Sequence, residues 1–341
     1  MTALRTLQGG RHRRGSPGKV ILRSLRDVLI AIVVCLAVLL GALAATASGP
    51  LAPAHVRAAA RQTPTRSPYG SVLAAKQVHV HFKLGLRSGL LFNVRTGQVM
   101  WSRNPHARVP IASLTKMMTA LVVVSHTRPT DKALITSRAV HFSGSGMGVL
   151  PLHKHARVRT LLYGLLLPSG NDAAIALAQH VAGSVDRFIA MMNVRARAMG
   201  LTCTHFTTVS GIVDRGNYSC TRDLAVLAHA VLQHPLLAKI VASANAVQPL
   251  PIKHGKVWLY NNNPLLIERY PGIDGVKTGY THAAGQCLVA TARRRGVWLG
   301  IVLLHSANIA LQGPHLLNAG FAALAPPKPA RRSHRHPGKQ H

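Results

Sequence analysis

The chain has 341 residues, 48% of them hydrophobic, so it is long and apolar enough to bury a sizeable core. Its 41 lysines and arginines outnumber eight acidic residues, and the formal net charge is +33. Such a charge first suggests a nucleic-acid partner, but 12 of the basic residues lie in the two terminal segments and the other 29 are scattered without interleaved aromatic residues. We therefore expect no nucleic acid, and a surface suited to anionic wall polymer, lipid headgroups or an acidic exterior.

The first segment of the chain has the pattern of an export signal. Residues 1–27 hold seven lysines and arginines and form a basic cytoplasmic segment, and residues 28–47 form a charge-free run. That run matches a membrane span of about 20 residues, while Ala45-Thr46-Ala47 offers a small-residue cleavage site, so a transmembrane anchor and a signal peptide both fit. Because positive charge stays on the cytoplasmic side, we expect the rest of the chain to be exported, in the periplasm or at the outer face of the cytoplasmic membrane.

Composition divides the remainder into three parts. Residues 48–78 are rich in Ala, Pro, Ser and Thr, which indicates a flexible linker. Residues 79–324 carry the periodic apolar pattern of a folded domain. Residues 325–341 form a basic Pro/Arg/His tail that we expect to be disordered.

Within the folded domain the pattern predicts strands, then helices, then strands again. In chain order it predicts a hairpin (90–94 and 99–101), a helix from 111, helices over 158–167 and 172–181, a helix capped by Ser184 that ends at Gly200, a helix capped by Thr221 that ends before Pro235, strands over 247–252, 256–260, 276–280, 286–293 and 297–304, and a last helix over 309–324, interrupted at Gly313-Pro314. This order predicts an α+β fold, an antiparallel sheet flanked by helices, with an all-helical subdomain inserted between the first and later strands.

The cysteines and histidines do not form a pattern that indicates a metal-binding site. Cys203 and Cys220 flank a turn-rich loop in a chain that we expect to reach an oxidising compartment. The sequence is compatible with a disulfide between them and with two free thiols. Cys287 lies in a predicted strand and is expected to be a small buried hydrophobe. With twenty histidines in the chain, pairs such as His79-x-His81 are expected by chance, so we predict no metal site.

A serine and a lysine stand three residues apart at the start of an apolar segment. Serine is a weak nucleophile at neutral pH and needs a base beside it. On a helix, positions i and i+3 share a face, so Lys116 can reach the Ser113 hydroxyl. Pro110 places Ser113 at the helix start, where free backbone N–H groups favour negative charge. Since Ser-x-x-Lys pairs occur by chance, a solvated helix start is the alternative for this pair alone.

Two further motifs decide between these interpretations. Ser169-Gly-Asn171 lies on a tight connection between two predicted helices, and Lys277-Thr-Gly279 lies on a predicted strand. Ser-x-x-Lys, Ser-x-Asn and Lys-Thr-Gly, in this order, resemble the signature of penicillin-binding proteins and serine β-lactamases. The spacings of 56 and 108 residues between the motifs resemble the D-alanyl-D-alanine carboxypeptidase family. The flanking sequence is similar to that family at 112–120, 161–165, 169–174, 205–206, 218–219, 222–225, 261–266 and 274–281, and the resemblance covers roughly residues 85–324.

The resemblance implies that residues 79–324 are a serine-type D-Ala-D-Ala carboxypeptidase domain. Such an enzyme removes the terminal D-alanine from peptidoglycan stem pentapeptides through an acyl-enzyme intermediate, is acylated by β-lactams, and needs no cofactor. The implied catalytic set is Ser113, Lys116, Ser169 and Asn171, and the implied substrate-binding set is Lys277, Thr278, Gly279 and Tyr280. In the family the first motif supplies nucleophile and base, the second relays a proton to the leaving amine, and the third binds the terminal carboxylate. Backbone N–H groups of Ser113 and Tyr280 are implied to form the oxyanion hole.

Several departures and alternatives remain at this point. A class A β-lactamase uses a dedicated glutamate for deacylation, but the only glutamate here is Glu268, so we expect a slowly hydrolysed penicilloyl adduct. Two alternative functions remain, a D,D-endopeptidase acting on peptidoglycan cross-links and a catalytically silent cell-wall-binding protein.

The glycine-rich segment 143–148 is predicted to be a flexible surface loop beside the cleft. Many family members carry a second, β-rich domain and a C-terminal anchor; we expect this chain to lack both and to attach to the membrane through its N-terminal segment.

Overall fold

The computed structural model describes residues 78–325. The predicted basic segment, the signal peptide or anchor, the linker up to residue 77 and the tail from residue 326 lie outside the described residues. In chain order the strands are β1 (Leu86–Asn93), β2 (Val99–Arg103), β3 (Val109–Pro110), β4 (Lys132–Leu134), β5 (His155–Arg157), β6 (Tyr218–Ser219), β7 (Asn245–Pro249), β8 (Lys256–Tyr260), β9 (Ile273–Thr281), β10 (Gly285–Arg294) and β11 (Val297–Ser306). The helices are a 3-10 turn (Ala112–Thr115), α1 (Lys116–His126), α2 (Ser137–Val140), α3 (Val158–Leu166), α4 (Asn171–Ala182), α5 (Val185–Ala198), α6 (Thr221–Gln233), α7 (Pro235–Val241), α8 (Pro264–Ile267) and α9 (Ile309–Leu324).

A five-stranded antiparallel sheet with the order β2-β1-β11-β10-β9 forms the centre of the domain. Successive side chains of a strand point to opposite faces, and β1 follows this rule. Leu90 and Phe92 join the core on the helical side, whereas Leu91 joins a second core under α9. Both faces of the sheet are therefore covered, which explains why β10 and β11 read as near-continuous apolar runs.

The strand order confirms that the helical region is an insertion. The first strand of the sheet pairs with its last, with Leu90 opposite Val302, so the chain leaves the sheet after β2 and returns to it at β9. The hairpin of β1 and β2 and the three C-terminal strands agree with the predicted elements to within a few residues.

The last helix approaches the sheet closely and runs without a break. At Gly320 an added Cβ would lie 2.8 Å from Leu299 Cδ1 and 3.0 Å from Leu91 Cδ2, so any larger residue would require these leucine side chains to shift. The predicted interruption at Gly313-Pro314 does not occur, and Pro314 lies inside α9. Apolar packing against the sheet compensates for the backbone hydrogen bond that a proline removes.

The inserted region is predominantly helical and also carries three two-stranded ladders, β3–β6, β4–β5 and β7–β8. The predicted strands near 247–260 thus form a hairpin apart from the main sheet. Ser184 caps α5 as predicted, accepting from the Arg187 backbone N–H. The predicted cap at Thr221 is wrong by one residue: Cys220 holds the cap position of α6, and the Thr221 hydroxyl donates to the Pro105 carbonyl instead.

Within residues 78–325 no single helix is long and apolar enough to cross a membrane; α6 and α7 reach the required length and composition only as a pair that is bent by 108°.

Candidate active site

Ser113 lies in the 3-10 turn that leads into α1, rather than in the α-helix predicted there. In a 3-10 turn, side chains at i and i+3 stand directly above one another, and the Lys116 backbone N–H donates to the Ser113 carbonyl. The two side chains therefore meet, with Lys116 Nζ 2.9 Å from Ser113 Oγ. Ala112, directly before the serine, has a φ of 47°, a left-handed conformation that costs about 1–3 kcal/mol. Backbone strain is thus stored one residue before Ser113.

The Lys116 amine is fully buried and has three oxygen partners. Besides Ser113 Oγ, its Nζ lies 2.7 Å from Asn171 Oδ1 and 2.9 Å from the Ser210 carbonyl oxygen. Burial holds the pKa of Lys116 well below its ordinary value, and the nearby ammonium of Lys277 lowers it further, whereas the carboxylate of Asp172 acts in the opposite direction. This environment favours the neutral amine.

The three partners differ in what they can do with a neutral amine. Such an amine keeps two N–H bonds and one lone pair, and the amide oxygen of Asn171 and the carbonyl oxygen of Ser210 can only accept. The lone pair is then left for Ser113, because its hydroxyl alone of the three can donate. The Ser113 proton is thereby directed at the atom that would remove it.

The 169–171 turn connects α3 to α4 and faces this amine. Ser169 has a left-handed φ of 67° and is 5% exposed, and its Oγ has no hydrogen-bond partner among the described residues. The Asn171 side chain donates from Nδ2 to the Ser143 carbonyl at 2.5 Å, and its backbone N–H donates to the Ser145 carbonyl at 2.8 Å. These bonds fix which end of the amide faces Lys116.

The loop that supplies those carbonyls is tied to the turn by a carboxylate. Asp172 accepts hydrogen bonds from the backbone N–H groups of Met147 and Gly148, each at 3.0 Å. The segment 143–148 lies beside the cleft as predicted, but at least four hydrogen bonds attach it to Asn171 and Asp172. All four of the loop's own groups in these bonds are backbone N–H or C=O groups, which have no residue-type signature, so no sequence pattern indicated this attachment.

Strand β9 brings the third motif to Ser113. An added Cβ at Gly279 would lie 2.9 Å from the Ser113 backbone nitrogen and 3.0 Å from the Ile111 carbonyl oxygen, so only glycine permits the strand to lie against the 3-10 turn. Lys277 is buried and donates to the Thr278 carbonyl at 2.9 Å, and burial lowers its pKa to about 7. Tyr280 is 61% exposed at the rim. The backbone of Ser113 and that of β9 thus line one cleft.

Two contributors to the site were missed by the sequence reasoning. The Ser210 carbonyl contacts Lys116, and at Gly211, with a φ of 81°, an added Cβ would lie 1.9 Å from the Ala112 carbonyl oxygen. A backbone carbonyl leaves no residue-type signature, so only the glycine could have pointed there. Asn262 donates from its backbone to the Leu167 carbonyl and from its side chain to Pro168, which holds the 169–171 turn from behind. Family similarity at 261–266 was the available signal for Asn262.

The cysteine alternatives are resolved by the structure. Cys203 and Cys220 form a disulfide with a Cα–Cα distance of 5.9 Å, and Cys287 is a free buried thiol. Within residues 78–325, the one group of three potential metal ligands is Cys203, Cys220 and Asp223. Both of its sulfur atoms are engaged in the disulfide, so we assign no metal to it.

The fold and the site together define a serine-peptidase class in which a lysine, rather than a histidine, stands beside the nucleophile. The model of the peptidase S11 family, D-alanyl-D-alanine carboxypeptidase, matches residues 75–308, and the chain belongs to this family.

Individual relatives agree with this assignment. The chain is 34% identical over 214 residues to D-alanyl-D-alanine carboxypeptidase DacF of Bacillus subtilis, which covers 61% of this chain and 54% of that protein. It is similar to the crystal structure of a D-alanyl-D-alanine carboxypeptidase from Mycobacterium tuberculosis H37Rv, with a TM-score of 0.68, 32% identity and coverage of 74% of this chain and 96% of that one. It is also similar to the Streptomyces K15 DD-transpeptidase, with a TM-score of 0.66, 32% identity and coverage of 72% and 100%. The chain spans about half the length of the B. subtilis relative.

Proposed function

We propose that the protein is a serine-type D-Ala-D-Ala carboxypeptidase that removes the terminal D-alanine from peptidoglycan stem pentapeptides. The observation that carries the proposal is the arrangement around Lys116. Its buried amine has two partners that can only accept and one, the Ser113 hydroxyl, that can donate. A lysine held in this way is a general base for one particular serine.

In the proposed acylation, Ser113 Oγ attacks the carbonyl carbon between the two terminal D-alanines, and its proton passes to Lys116 Nζ. The C–N bond then breaks and the departing D-alanine amine takes up a proton. Ser169 is suited to relay that proton, because its buried hydroxyl has no other partner among the described residues. Backbone N–H groups of Ser113 and Tyr280 are proposed to stabilise the oxyanion.

Lys277 and Thr278 are proposed to bind the free carboxylate of the last D-alanine. A carboxylate beside Lys277 favours the ammonium form, since an opposite charge raises the pKa of a lysine. A chain end supplies this carboxylate and the interior of a peptide does not. The proposal therefore explains why such a site processes chain ends.

Deacylation uses water. The only glutamate, Glu268, is exposed just after α8, and both oxygens of the buried Asp172 carboxylate already accept backbone hydrogen bonds. Neither acid is placed to activate water as the glutamate of a class A β-lactamase does. We therefore propose that β-lactams acylate Ser113 and leave it slowly.

The proposed setting is the cell wall. The basic N-terminus followed by a charge-free run supports export to the periplasm or the outer face of the cytoplasmic membrane, with membrane contact through that segment. The proposed partners are peptidoglycan stem peptides and, as covalent inhibitors, β-lactams. No nucleic-acid partner is proposed.

The test is product analysis with a synthetic peptide that ends in D-Ala-D-Ala, together with labelled penicillin. We expect release of free D-alanine and covalent labelling by the wild type, and neither by Ser113→Ala. Ser125→Ala is a matched control, because Ser125 lies near the end of α1, the helix that follows the 3-10 turn of Ser113, and its hydroxyl donates to the Val122 carbonyl away from the site. With purified wall fragments as a second substrate, split dimers without free D-alanine would instead identify an endopeptidase. Equal labelling of wild type and Ser113→Ala, or no labelling, would favour a silent wall-binding protein.

A further inference from the structure

One disulfide-closed loop contacts the catalytic turn from outside the three motifs. Residues 203–220 form this Cys203–Cys220 loop, whose cysteines are 17 positions apart. The structure describes the loop in full, and apart from the short strand β6 and the backbone pairing of His205 with Tyr218 it has no helix or strand. Regular secondary structure therefore contributes little to its position.

The loop nevertheless makes hydrogen bonds to both sides of the cleft. The Ser210 carbonyl is 2.9 Å from Lys116 Nζ, and the neighbouring Val209 carbonyl accepts from the Thr119 hydroxyl at 2.7 Å. Asn217 Nδ2 donates to Thr115 Oγ1 at 2.9 Å, one residue before the catalytic lysine. Asp214 accepts from the Thr281 hydroxyl at 2.8 Å, at the end of β9. The loop thus holds the base and links it to the strand that carries Lys277.

The ends of the loop are held at one point of the fold. Next to the disulfide, the buried Asp223 carboxylate accepts from the Cys203 backbone N–H at 2.9 Å and from the Thr204 hydroxyl at 2.7 Å. A cross-link between the ends of an irregular loop removes open conformations that the chain would otherwise sample. Without it, no covalent bond closes the loop. Its opening is then opposed only by non-covalent contacts, namely these bonds to Asp223, the pairing of His205 with Tyr218, two hydrogen bonds between Phe206 and Asn193, and the bonds to the cleft.

We infer that Cys203 and Cys220 are positioning residues for the proposed acyl transfer, because their disulfide keeps the Ser210 carbonyl on the Lys116 amine. The inference rests on the proposed function. Reduction by a dithiol transfers two electrons and two protons, breaks the S–S bond, gives two thiols and leaves the dithiol as its own disulfide. The reduced loop is then free to move its carbonyl away from Lys116.

The effect on the base has a definite sign. When the Ser210 carbonyl moves away, the Lys116 ammonium loses one acceptor, which lowers its pKa, and gains water, which raises it. Because burial is the largest cause of the lowered pKa of Lys116, the gain of water decides the sign. The charged groups that face Lys116 from other elements, Lys277 on β9 and Asp172 on α4, stay in place. The pKa of Lys116 therefore rises towards its ordinary value, and the base stays protonated to a higher pH.

The experiment measures the second-order rate of acylation by labelled penicillin from pH 5 to pH 10 with the full chain. Oxidised wild type is compared with dithiothreitol-reduced wild type and with the Cys203→Ser/Cys220→Ser double variant. Because one typical hydrogen bond corresponds to about a fivefold change in an equilibrium or rate, we expect acylation at pH 7 to fall about fivefold in both the reduced wild type and the double variant. In the profile of acylation rate against pH, the acid limb reports protonation of Lys116, and its midpoint should move up by about one pH unit. The folded fraction, measured by circular dichroism, should not change.

A matched control separates the disulfide from other thiol effects. Cys287→Ala lies outside the loop and should respond to reduction as the wild type does. If the midpoint of the acid limb does not move after verified reduction, the inference is overturned. The same holds if the acylation rate falls equally at every pH and in proportion to the unfolded fraction. If the oxidised wild type is not acylated at any pH, the proposed function fails and the inference fails with it.

Discussion

Replacing Lys277 with methionine should stabilise the folded domain at pH 6 while it impairs substrate binding. Lys277 is buried at 2% exposure, and burial alone lowers its pKa from an ordinary value of 10.5 to about 7. The folded state therefore bears a cost for protonating this amine that the unfolded chain does not. Methionine has a similar length and carries no charge to desolvate.

The magnitude follows from the pKa. The difference between 10.5 and about 7, at about 1.4 kcal/mol per pKa unit, gives a cost of roughly 5 kcal/mol when the lysine is protonated in both states. Below about pH 7 the full cost applies. As the pH rises towards 10.5, the folded protein holds a neutral lysine while the unfolded chain still binds the proton, so the cost declines. Removing Lys277 also relieves its electrostatic repulsion of Lys116, which stabilises the folded variant further.

The assay is thermal unfolding of wild type and Lys277→Met at pH 6 and pH 10. Since 1 kcal/mol corresponds to about 2–4 °C for a domain of 150–250 residues, we expect the variant to melt about 10 °C higher at pH 6, with most of the difference gone at pH 10. Lys256→Met is a matched control, because Lys256 is an exposed lysine of β8 and should show no such pH dependence. A variant that is less stable than wild type at pH 6, or a difference that does not change with pH, would refute the reasoning.

The remaining predictions concern backbone strain, close packing and pH. Ser169→Gly should relieve the left-handed φ of 67° and raise the free energy of unfolding by about 0.5–1 kcal/mol, while acylation by penicillin falls; calorimetry that shows a loss of stability would contradict it. Gly211→Ala should destabilise by about 2 kcal/mol or more, because its Cβ would lie 1.9 Å from the Ala112 carbonyl oxygen. Gly200→Ala is the control, since Gly200 has a similar φ of 71° and open space around its Cβ. Finally, kcat/KM for a peptide ending in D-Ala-D-Ala should decline above about pH 7, where free Lys277 loses its charge; a profile that peaks only above pH 8 counts against this.

The sequence was most informative where a pattern depends on side chains alone. Alternation of apolar residues predicted β1 and β2, and β-branched runs predicted the three C-terminal strands, because burial on one or both faces selects those residues. The three motifs could be found for a similar reason: hydroxyl, amine and amide groups at fixed spacing are chemically unusual in an apolar setting. Their meeting in one cleft follows from the pairing of β1 with β11, which returns β9 to the turn that carries Ser113.

The sequence was least informative where backbone atoms or tertiary contacts determine the local conformation. The left-handed conformations of Ala112 and Ser169 are imposed by neighbouring segments and contradict the local preference of both residue types. The segment 143–148 has the composition of a mobile loop, yet Asp172 fixes it through backbone N–H groups. Thr221 has the residue type of a helix cap, but its hydroxyl donates instead to the carbonyl of Pro105, which is 116 residues away in sequence. Such contacts are set by the fold and are not encoded in a local pattern.

The proposed reaction requires two buried lysines in opposite protonation states, and the cleft supplies a reason for the asymmetry. Burial lowers the pKa of both amines, but Lys116 also experiences the charge of Lys277. When an anionic chain end binds, its carboxylate favours the ammonium form of Lys277. That same ammonium keeps Lys116 neutral, with its lone pair towards Ser113. Binding of an anionic chain end at β9 therefore favours the neutral form of Lys116 on α1, which Ser113 needs. A peptide without a free carboxylate lacks both the contact with Lys277 and this electrostatic effect on Lys116.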